Sequence, residues 1–437
     1  MKRTSTIGLA IMLMASIALA GLVTNTNQSA EYIRTLNRNA STCVDAAYYN
    51  PAGLTKLPEG LHFAISNQSI FQTKEIDSDL ATLNSGSFTG DVKAMVFPDV
   101  HVAYKMGKMA FSGSFMPIGG GGGAEYSTGL PSFEYNYAGL VGVPAGALNA
   151  QLAALGNITG YEADIEFSGA SVYFAGQANA AYAINDMISV AVGGRYIMAN
   201  NTLEGSIKNV SLSTEAGMPL TSAVIPNFAD IEMDIAQTGT AFGALIGANI
   251  APMEGLNVGI RYELQTALTI ENETEVDGSG LFPDGAETPS DMPALLGLGA
   301  SYMVMPNLRT ELSMNYFMNT SADWDGAEDE TENGFDVGAG IEYGISDALS
   351  ASAGFLYSKS GALEGYRSDA SLNLDALAAG FGVGYKLMDN LALNVGGLVT
   401  FYTEATKTLP AQMNTLVPVE TFNQSTFLFA IGIRYSL

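Results

Sequence analysis

The sequence predicts an all-β fold, a transmembrane antiparallel β-barrel of about 14 strands with an N-terminal plug, or hatch, in its lumen. Three observations predict this fold: a composition too poor in charge for a water-facing surface, repeated alternation of apolar and polar residues, and an N-terminal segment that does not alternate. Alternation indicates strands because successive side chains of a strand point to opposite faces.

The composition excludes an ordinary soluble domain. Hydrophobic residues make up 47% of the chain and charged residues 14%, whereas about 25% of residues are charged in a typical soluble protein. Beyond the N-terminus there is no run of about 18 consecutive apolar residues, which a membrane-spanning helix would require. A barrel exposes an apolar surface in another way, because its outer face meets lipid while every backbone group is paired around the closed sheet.

Residues 1–20 combine a basic start, a short apolar run and a small-residue cleavage motif, as a secretory signal peptide does. The apolar run is too short to cross a membrane as a helix. We therefore expect a signal peptide over 1–20, a hatch over 21–60, and a transmembrane barrel with long extracellular loops over 61–437. An exported barrel is expected in the cell outer membrane.

Charge and cysteine usage narrow the chemistry. Cys43 is the one cysteine, so no internal disulfide can form, and we expect it to be a small buried side chain. The net charge of −26 argues against nucleic acid, which requires a basic face. Acidic residues concentrate in stretches such as 323–336, which we interpret as solvated loops; divalent-cation bridging to anionic lipid headgroups is the alternative. No metal centre and no cofactor is expected.

Alternating segments recur along the chain, for example over 256–264, 308–316 and 349–355. We expect the apolar face of each strand to meet lipid and the polar face to meet the lumen. Six short turns rich in Gly, Pro, Asn or Asp join pairs of these segments, and with a first and a last strand they give the even number that bacterial barrels have. The expected strands are 61–73, 99–106, 109–117, 167–184, 187–205, 231–250, 255–272, 292–304, 307–322, 334–344, 347–359, 375–387, 390–405 and 425–437.

The last segment, 427–437, has large apolar residues at its odd positions up to Leu437. It resembles the closing strand of outer-membrane barrels, which the barrel assembly machinery reads, although the usual last residue is Phe. The assembly machinery and outer membrane lipids are therefore expected partners.

Residues 50–53 read Asn-Pro-Ala-Gly, and this motif predicts a rigid corner because Pro fixes φ while Asn and Gly favour turns. We assign a hatch or gating role to Asn50, Pro51, Ala52 and Gly53. A floppy tail would be more charged than this segment. A fourteen-strand barrel without a plug would enclose a water-filled channel, so we favour a plug.

The third expected strand contains Pro117 and a run of five glycines that begins with Gly119 and Gly120. Pro removes a ladder hydrogen bond and Gly permits bulges, so these residues could kink the strand and open the wall. The alternative is that the strand ends at Met116 and the glycines start a loop.

Alternation also places polar side chains toward the lumen, and Arg195 and Arg261 are the candidate ligand-facing residues among them. An inward guanidinium could pair with a ligand carboxylate. Alternatively, it pairs with lumen acids and holds the barrel together.

The chain resembles the FadL/TodX family of outer-membrane transporters for long-chain fatty acids and other hydrophobic compounds. The resemblance rests on residues 27–57, 97–106 and 292–317 and on the terminal strand. It implies that Asn50, Pro51 and Ala52 belong to a hatch. It also implies ligand capture at the outer loops, passage to an apolar lumen pocket, and lateral exit through a gap at a kinked third strand.

Other functions stay open or are disfavoured. A nonspecific porin would need no plug, and a structural or adhesive barrel would suit the long acidic loops. A barrel lipase would need a Ser–His pair, but His62 and His101 are the only histidines and neither lies near a G-x-S-x-G motif. The chain is therefore expected to be a monomeric transporter of a hydrophobic small molecule and not an enzyme.

Overall fold

The computed structural model describes residues 24–225, 228–410 and 417–437. The predicted signal peptide, 1–20, lies outside the described residues. The described chain forms a closed antiparallel barrel of fourteen strands, preceded by a segment of short helices. The predicted fold class is confirmed at this level.

Each wall strand pairs with the next along the chain. The strands are β1 Gly60–Ser78, β2 Ser87–Met106, β3 Met109–Tyr126, β4 Ile158–Ala183, β5 Ile188–Thr214, β6 Ile231–Met253, β7 Leu256–Glu263, β8 Leu295–Met305, β9 Leu308–Phe317, β10 Gly334–Gly344, β11 Leu349–Lys359, β12 Ala376–Met388, β13 Leu391–Tyr402 and β14 Val419–Ser436. Four shorter strands extend the wall: Leu220–Thr221, Thr269–Asp277, Glu287–Pro289 and Ala405–Thr408.

The barrel closes where β1 pairs with β14. The pairing runs without interruption from His62 opposite Ser436 to Ser78 opposite Glu420. Closure removes the free edges that an open sheet would present to another chain.

All fourteen expected strands are present, and the six short turns join the pairs that the sequence predicted. The second strand was expected from residue 99 but begins at Ser87, because consecutive apolar residues over 94–98 interrupt the alternation. The third strand continues through the glycine run to Tyr126 and does not end at Met116.

The outer face of the wall is apolar, as expected. On β14, Phe427 and Phe429 are 47% and 44% exposed, whereas Leu428 and Ala430 between and beside them are 3% and 0% exposed. An outward belt of this kind suits lipid contact.

The helices are short and belong to the N-terminus and the long connections. They are α1 Ala30–Thr35, α2 Ala46–Tyr49, α3 Pro131–Ala138 and α4 Ala145–Leu148, with 3₁₀ turns at Pro51–Lys56, Ala150–Leu155, Asn319–Ser321 and Ala327–Glu330. In the described ranges, no helix has the length and apolar character needed to cross a membrane.

Candidate functional site

The N-terminal segment, residues 24–59, packs against the inward face of two groups of wall strands. Helix α1 contacts β10 to β14 and β1, while α2 and the 3₁₀ turn after it contact β2 to β6. Nearly every residue from Gln28 to Thr55 is buried. Since a six-residue helix is marginal by itself, these wall contacts hold the segment in shape.

Helix α1 has defined ends. The Ser29 hydroxyl accepts a hydrogen bond from the Tyr32 N–H at 3.0 Å, as an N-cap residue does. Leu36 ends the helix in the left-handed region with φ 56°, and its N–H donates to the Tyr32 carbonyl.

The predicted corner at 50–53 is a sharp turn fixed to the wall. Asn50 is extended, with φ −161°, and Pro51 begins the 3₁₀ turn that follows. The Asn50 side-chain amide donates to the carbonyl of Ala248 on β6 at 2.9 Å. This bond ties the corner directly to the barrel.

The rest of the corner is equally constrained. The Ala52 carbonyl accepts hydrogen bonds from the hydroxyls of Thr55 and Ser189, both at 3.0 Å. A Cβ on Gly53 would lie 2.1 Å from the Ser41 carbonyl oxygen, so only glycine fits. The hatch or gating role of these residues stays a prediction.

A patch of three glycines receives the end of α1. Gly340, Gly354 and Gly380 lie opposite one another on three adjacent strands, β10 to β12. A Cβ on Gly354 would lie 1.9 Å from the Thr35 carbonyl oxygen, and one on Gly380 would lie 2.4 Å from the Ile33 carbonyl oxygen. The backbone of α1 can approach the wall this closely only because these strands carry no side chain there.

Two further glycines, Gly259 and Gly299 on β7 and β8, pack against the backbone at Asn39 and Ala40. A Cβ on Gly259 would lie 2.0 Å from the Asn39 carbonyl oxygen. These glycines were missed as functional residues. The signal was glycine at the polar, inward positions of alternating strands.

A buried ion pair braces the segment internally. Both Arg38 and Asp45 are almost fully buried, and the guanidinium makes two hydrogen bonds of 2.7 Å to the carboxylate. The hydroxyls of Ser29 and Ser41 also donate to Asp45, at 3.1 and 2.7 Å. Burial alone would raise the pKa of Asp45, but the Arg38 charge and the hydrogen bonds from Arg38 and Ser41 outweigh it and hold the pKa well below its usual range.

We predict that Asp45→Asn loosens the N-terminal segment, because removing one partner of a buried pair costs about 3–5 kcal/mol. Amide hydrogen exchange over residues 30–56 should rise markedly at pH 7. Acid should have the same effect on the unmodified protein. Since the folded pKa is depressed, the stabilisation is complete above the unfolded value of about 3.9 and is lost as pH falls toward the folded pKa.

The matched control is Asp389→Asn. Asp389 also pairs with a basic residue, Lys386, at 2.8 Å, but its side chain is fully exposed. Its replacement should leave exchange in the N-terminal segment unchanged. Equal exchange in Asp45→Asn and the unmodified protein would show that the buried pair does not hold the segment.

Arg195 and Arg261 flank the ring of Tyr48, with their guanidinium carbons 5.3 and 5.2 Å from its centre. Both pair with Glu263, at 2.5 and 3.3 Å, and Arg195 also donates to Gln177 at 2.9 Å. These contacts hold α2 against the wall. Neither arginine borders the cavity described below, and a ligand-facing role for them stays a prediction.

The third strand is irregular at the predicted residues. Its register with β4 slips between Pro117 and Gly119 and again between Gly119 and Gly122. Gly120 has φ +99°, and a Cβ there would lie 2.2 Å from the Ser171 carbonyl oxygen. Gly120 therefore adopts a backbone conformation that other residues rarely take.

The same part of β3 is also not paired with β2, its neighbour on the other side. Pairing between β2 and β3 stops at Val92 opposite Ala124 and resumes at Val100 opposite Phe115. Between these pairs, all within the described residues, the two strands form no ladder. We call this part of the wall the unpaired stretch; it comprises residues 93–99 and 116–123.

The start of the N-terminal segment lies against the unpaired stretch. Thr24 forms an antiparallel bridge with Gly119, and the N–H of Asn25 donates to the Ile118 carbonyl at 2.7 Å. The Gln28 side-chain amide donates to the carbonyl of Pro117 at 2.5 Å. The segment thus supplies hydrogen-bond partners that β2 does not.

A cavity of about 460 Å³ lies beside these elements. Its volume falls in the range of about 300–1,000 Å³ that is usual for small-molecule sites. It is bordered by residues 24–27 of the N-terminal segment, by Ala94, Phe97 and Gly120–Gly122 of the unpaired stretch, and by apolar side chains that include Tyr126, Phe167, Leu203 and Leu374.

The cavity is continuous with an apolar cluster that the long connections form together with the adjoining ends of the strands. Tyr126, Phe167 and Leu203 border the cavity and belong to this cluster. Helix α3 contributes Phe133, whose ring packs edge-on against Phe167 at 5.4 Å between centres. The Tyr135 hydroxyl of the same helix donates to Glu420 on β14 at 2.6 Å, which attaches the connection between β3 and β4 to the last strand.

Solved structures share this arrangement of strands. A FadL homologue from Pseudomonas aeruginosa aligns with 95% of this chain and 100% of its own, with a TM-score of 0.68 and 13% identity. The chain has the FadL fold. The toluene transporters TodX from P. putida and TbuX from Ralstonia pickettii have it too, with TM-scores of 0.61 and 0.57. They are 12% and 15% identical to this chain, over 91% and 90% of it and 95% and 94% of their own lengths.

The sequence matches no protein-family model and no curated protein. At identities this low, the structural likeness establishes the FadL fold alone. The resemblance that the sequence suggested is confirmed at that level.

Proposed function

We propose that this chain is an outer-membrane transport protein for the uptake of long-chain fatty acids or other hydrophobic compounds. The observation that carries the proposal is that the 460 Å³ cavity, the start of the N-terminal segment and the unpaired stretch meet at one place. The proteins with the same fold include two that are named toluene transporters, which supports a hydrophobic cargo.

Capture takes place at the apolar cluster of the long connections, which we place outside the cell. Because the cluster and the cavity share side chains, an apolar ligand can move from one to the other without entering water. The proposal requires binding and diffusion, with no catalysis, metal or cofactor.

The N-terminal segment acts as the hatch. Its buried contacts with both sides of the wall oppose free diffusion through the lumen. Thr24 and Asn25 bond to the unpaired stretch, so movement of the segment start would uncover that part of the wall. The corner from Asn50 to Gly53 anchors the other end of the segment and limits how far it moves.

The unpaired stretch is the exit. A ligand that leaves sideways here passes between strands that have no ladder to break, and it reaches the outer leaflet without crossing the periplasm. Pro117, Gly119 and Gly120 are the residues that keep this part of the wall open.

The domain order completes the proposal. Residues 1–20 direct export, 21–60 form the hatch and 61–437 form the barrel, whose outward belt contacts outer membrane lipids. The last strand is read by the barrel assembly machinery, and the barrel works as a monomer.

The test is uptake of radiolabelled oleate by cells that lack their own transporter. The intact protein should confer uptake, deletion of Asn50, Pro51 and Ala52 should abolish it, and Asn50→Ala should reduce it severalfold. The matched control is Asn307→Ala, because Asn307 also bonds a strand carbonyl, that of Gly344, but on an exposed turn. This control should transport normally. Surface assembly of every variant is checked by heat-modifiable gel mobility.

Equal uptake by the intact protein and the deletion variant would refute the hatch. If an assembled intact barrel takes up no oleate, labelled toluene is the next cargo. Passage of small hydrophilic solutes with uptake of neither compound would replace this proposal with a nonspecific porin.

A further inference from the structure

Two buried carboxylates hold one face of helix α3. The Glu420 carboxylate accepts a hydrogen bond of 2.6 Å from the Tyr135 hydroxyl, and the Asp369 carboxylate accepts one of 2.9 Å from the Ser132 N–H. Residues three positions apart are neighbours on a helix surface. Since Ser132 and Tyr135 have this spacing, both carboxylates are attached to the same face of α3.

Helix α3 joins two parts of the cavity border. Residues 370–374, which directly follow Asp369, border the cavity. Phe133 of α3 packs against Phe167 of β4, which also borders the cavity. Phe133 belongs to the apolar cluster where we propose that capture takes place. Movement of α3 away from residues 369–374 would therefore open a path from the cluster to the cavity.

The two carboxylates repel each other at a place that is shielded from water. Glu420 lies near the first residue of β14, well before Phe427 and Phe429 of the outward apolar belt, and so outside the lipid-facing part of the strand. Burial raises the pKa of Glu420, and the Asp369 charge raises it further, to about 8. Burial also raises the pKa of Asp369. The site therefore resists the ionisation of both acids.

A lysine compensates this pair only in part. Lys407 is the register partner of Glu420, but its ammonium donates to the backbone carbonyls of Gly365 and Arg367. The Lys407 charge lowers the pKa of Glu420 and of Asp369 by less than burial raises it. The other titratable groups that act on this cluster are Tyr126, Tyr135, Asp79, Glu330 and Glu364.

We infer that α3 is a lid on the cavity, closed while the Glu420–Asp369 pair carries a proton and released when the pair loses it as external pH rises. The inference rests on the proposed function and adds regulation of its entry path. In the open lid the carboxylates meet water, where the pKa of Glu420 is the ordinary 4.5.

The direction of the pH effect follows from this difference in pKa. Because the pKa of Glu420 is higher in the closed lid, the closed lid holds a proton that the open lid lacks between about pH 4.5 and about pH 8. Closure is therefore strongest below about pH 4.5, and it weakens as pH rises toward about 8.

Hydrogen exchange tests the lid without any ligand. In the purified full-length protein, protection of the amides of residues 132–138, corrected for the intrinsic effect of pH on exchange, should be at least about tenfold lower at about pH 8.5 than at about pH 5.5. Glu420→Gln keeps an acceptor for Tyr135 but cannot ionise, so α3 should stay protected at both pH values. The matched control is Glu134→Gln. Glu134 also lies on α3 but bonds the Tyr161 hydroxyl and the Asn84 N–H, so this variant should keep the pH dependence.

Binding of radiolabelled dodecanol tests the entry path, because this ligand is uncharged at both pH values. Its association rate should rise severalfold at the higher pH in the unmodified protein and in Glu134→Gln, and stay low in Glu420→Gln. The lid is refuted by equal α3 protection at both pH values, by an unaltered pH dependence in Glu420→Gln, or by an association rate that stays constant while α3 protection changes. If α3 responds to pH as expected and dodecanol does not bind at all, the proton-controlled helix is supported and the proposed function is not.

Discussion

Replacing Gly354 with valine should displace the N-terminal segment and raise the ionic conductance of the barrel severalfold. A Cβ at this position would lie 1.9 Å from the Thr35 carbonyl oxygen, so α1 would have to retreat by roughly 1.5 Å to restore ordinary contact at 3.4 Å. Overpacking of this kind costs about 1–3 kcal/mol. The wall itself is continuous at this residue, with β11 paired on both sides, so the barrel should still assemble.

Single-channel recording in planar bilayers measures the effect. The matched control is Gly176→Val, which places the same side chain on β4 at a position where a Cβ meets nothing within 4 Å. Its conductance should equal that of the unmodified protein. If Gly354→Val also conducts as the unmodified protein does, the N-terminal segment does not block the lumen through its contact with this glycine patch.

The barrel could be predicted from local pattern because alternation is a property of each strand by itself. In 256–264 the apolar and polar positions follow a period of two, and β7 forms there with the expected face outward. Alternation located the fourteen strands, and the turn residues between them located the six hairpins. Alternation failed at the start of β2, because the consecutive apolar residues over 94–98, which belong to the unpaired stretch, interrupt it.

The site could be predicted only in part, because it depends on contacts between distant residues. Alternation correctly directed Arg195 and Arg261 inward. It could not reveal that both guanidinium groups contact the Tyr48 ring and pair with Glu263. The corner at 50–53 was identified from its turn chemistry. The hydrogen bond from Asn50 to the Ala248 carbonyl could not be predicted, because the two residues lie 198 positions apart in the sequence.

Glycine carried more information than its turn-forming role suggests. In strands it usually weakens the sheet, yet Gly340, Gly354 and Gly380 lie in register on one inward face and meet the backbone of α1. A set of inward glycines at matched positions on adjacent strands therefore indicates a backbone packed inside the barrel. The composition showed the abundance of glycine, but only the register shows its purpose.

If the N-terminal segment acts as the proposed hatch, locking its start to the wall should abolish uptake. Thr24 and Gly119 are antiparallel partners, and such partners have Cα atoms about 4.5–5.5 Å apart, which a disulfide can bridge. A Thr24→Cys, Gly119→Cys double variant is made in a Cys43→Ser background, because Cys43 is a free thiol. Oleate uptake should fall to background when the disulfide forms and recover fully after reduction with dithiothreitol.

The matched control crosslinks two neighbouring wall strands where they are already paired. Val100 and Phe115 are register partners on β2 and β3, at the point where pairing resumes after the unpaired stretch. A disulfide that joins these two positions constrains the wall but leaves the N-terminal segment free, so uptake should be normal under oxidising conditions. Loss of uptake in both crosslinked proteins would mean that the wall must move. If thiol labelling shows that the crosslink between residues 24 and 119 has formed completely and uptake is still normal, the start of the segment does not gate the proposed exit.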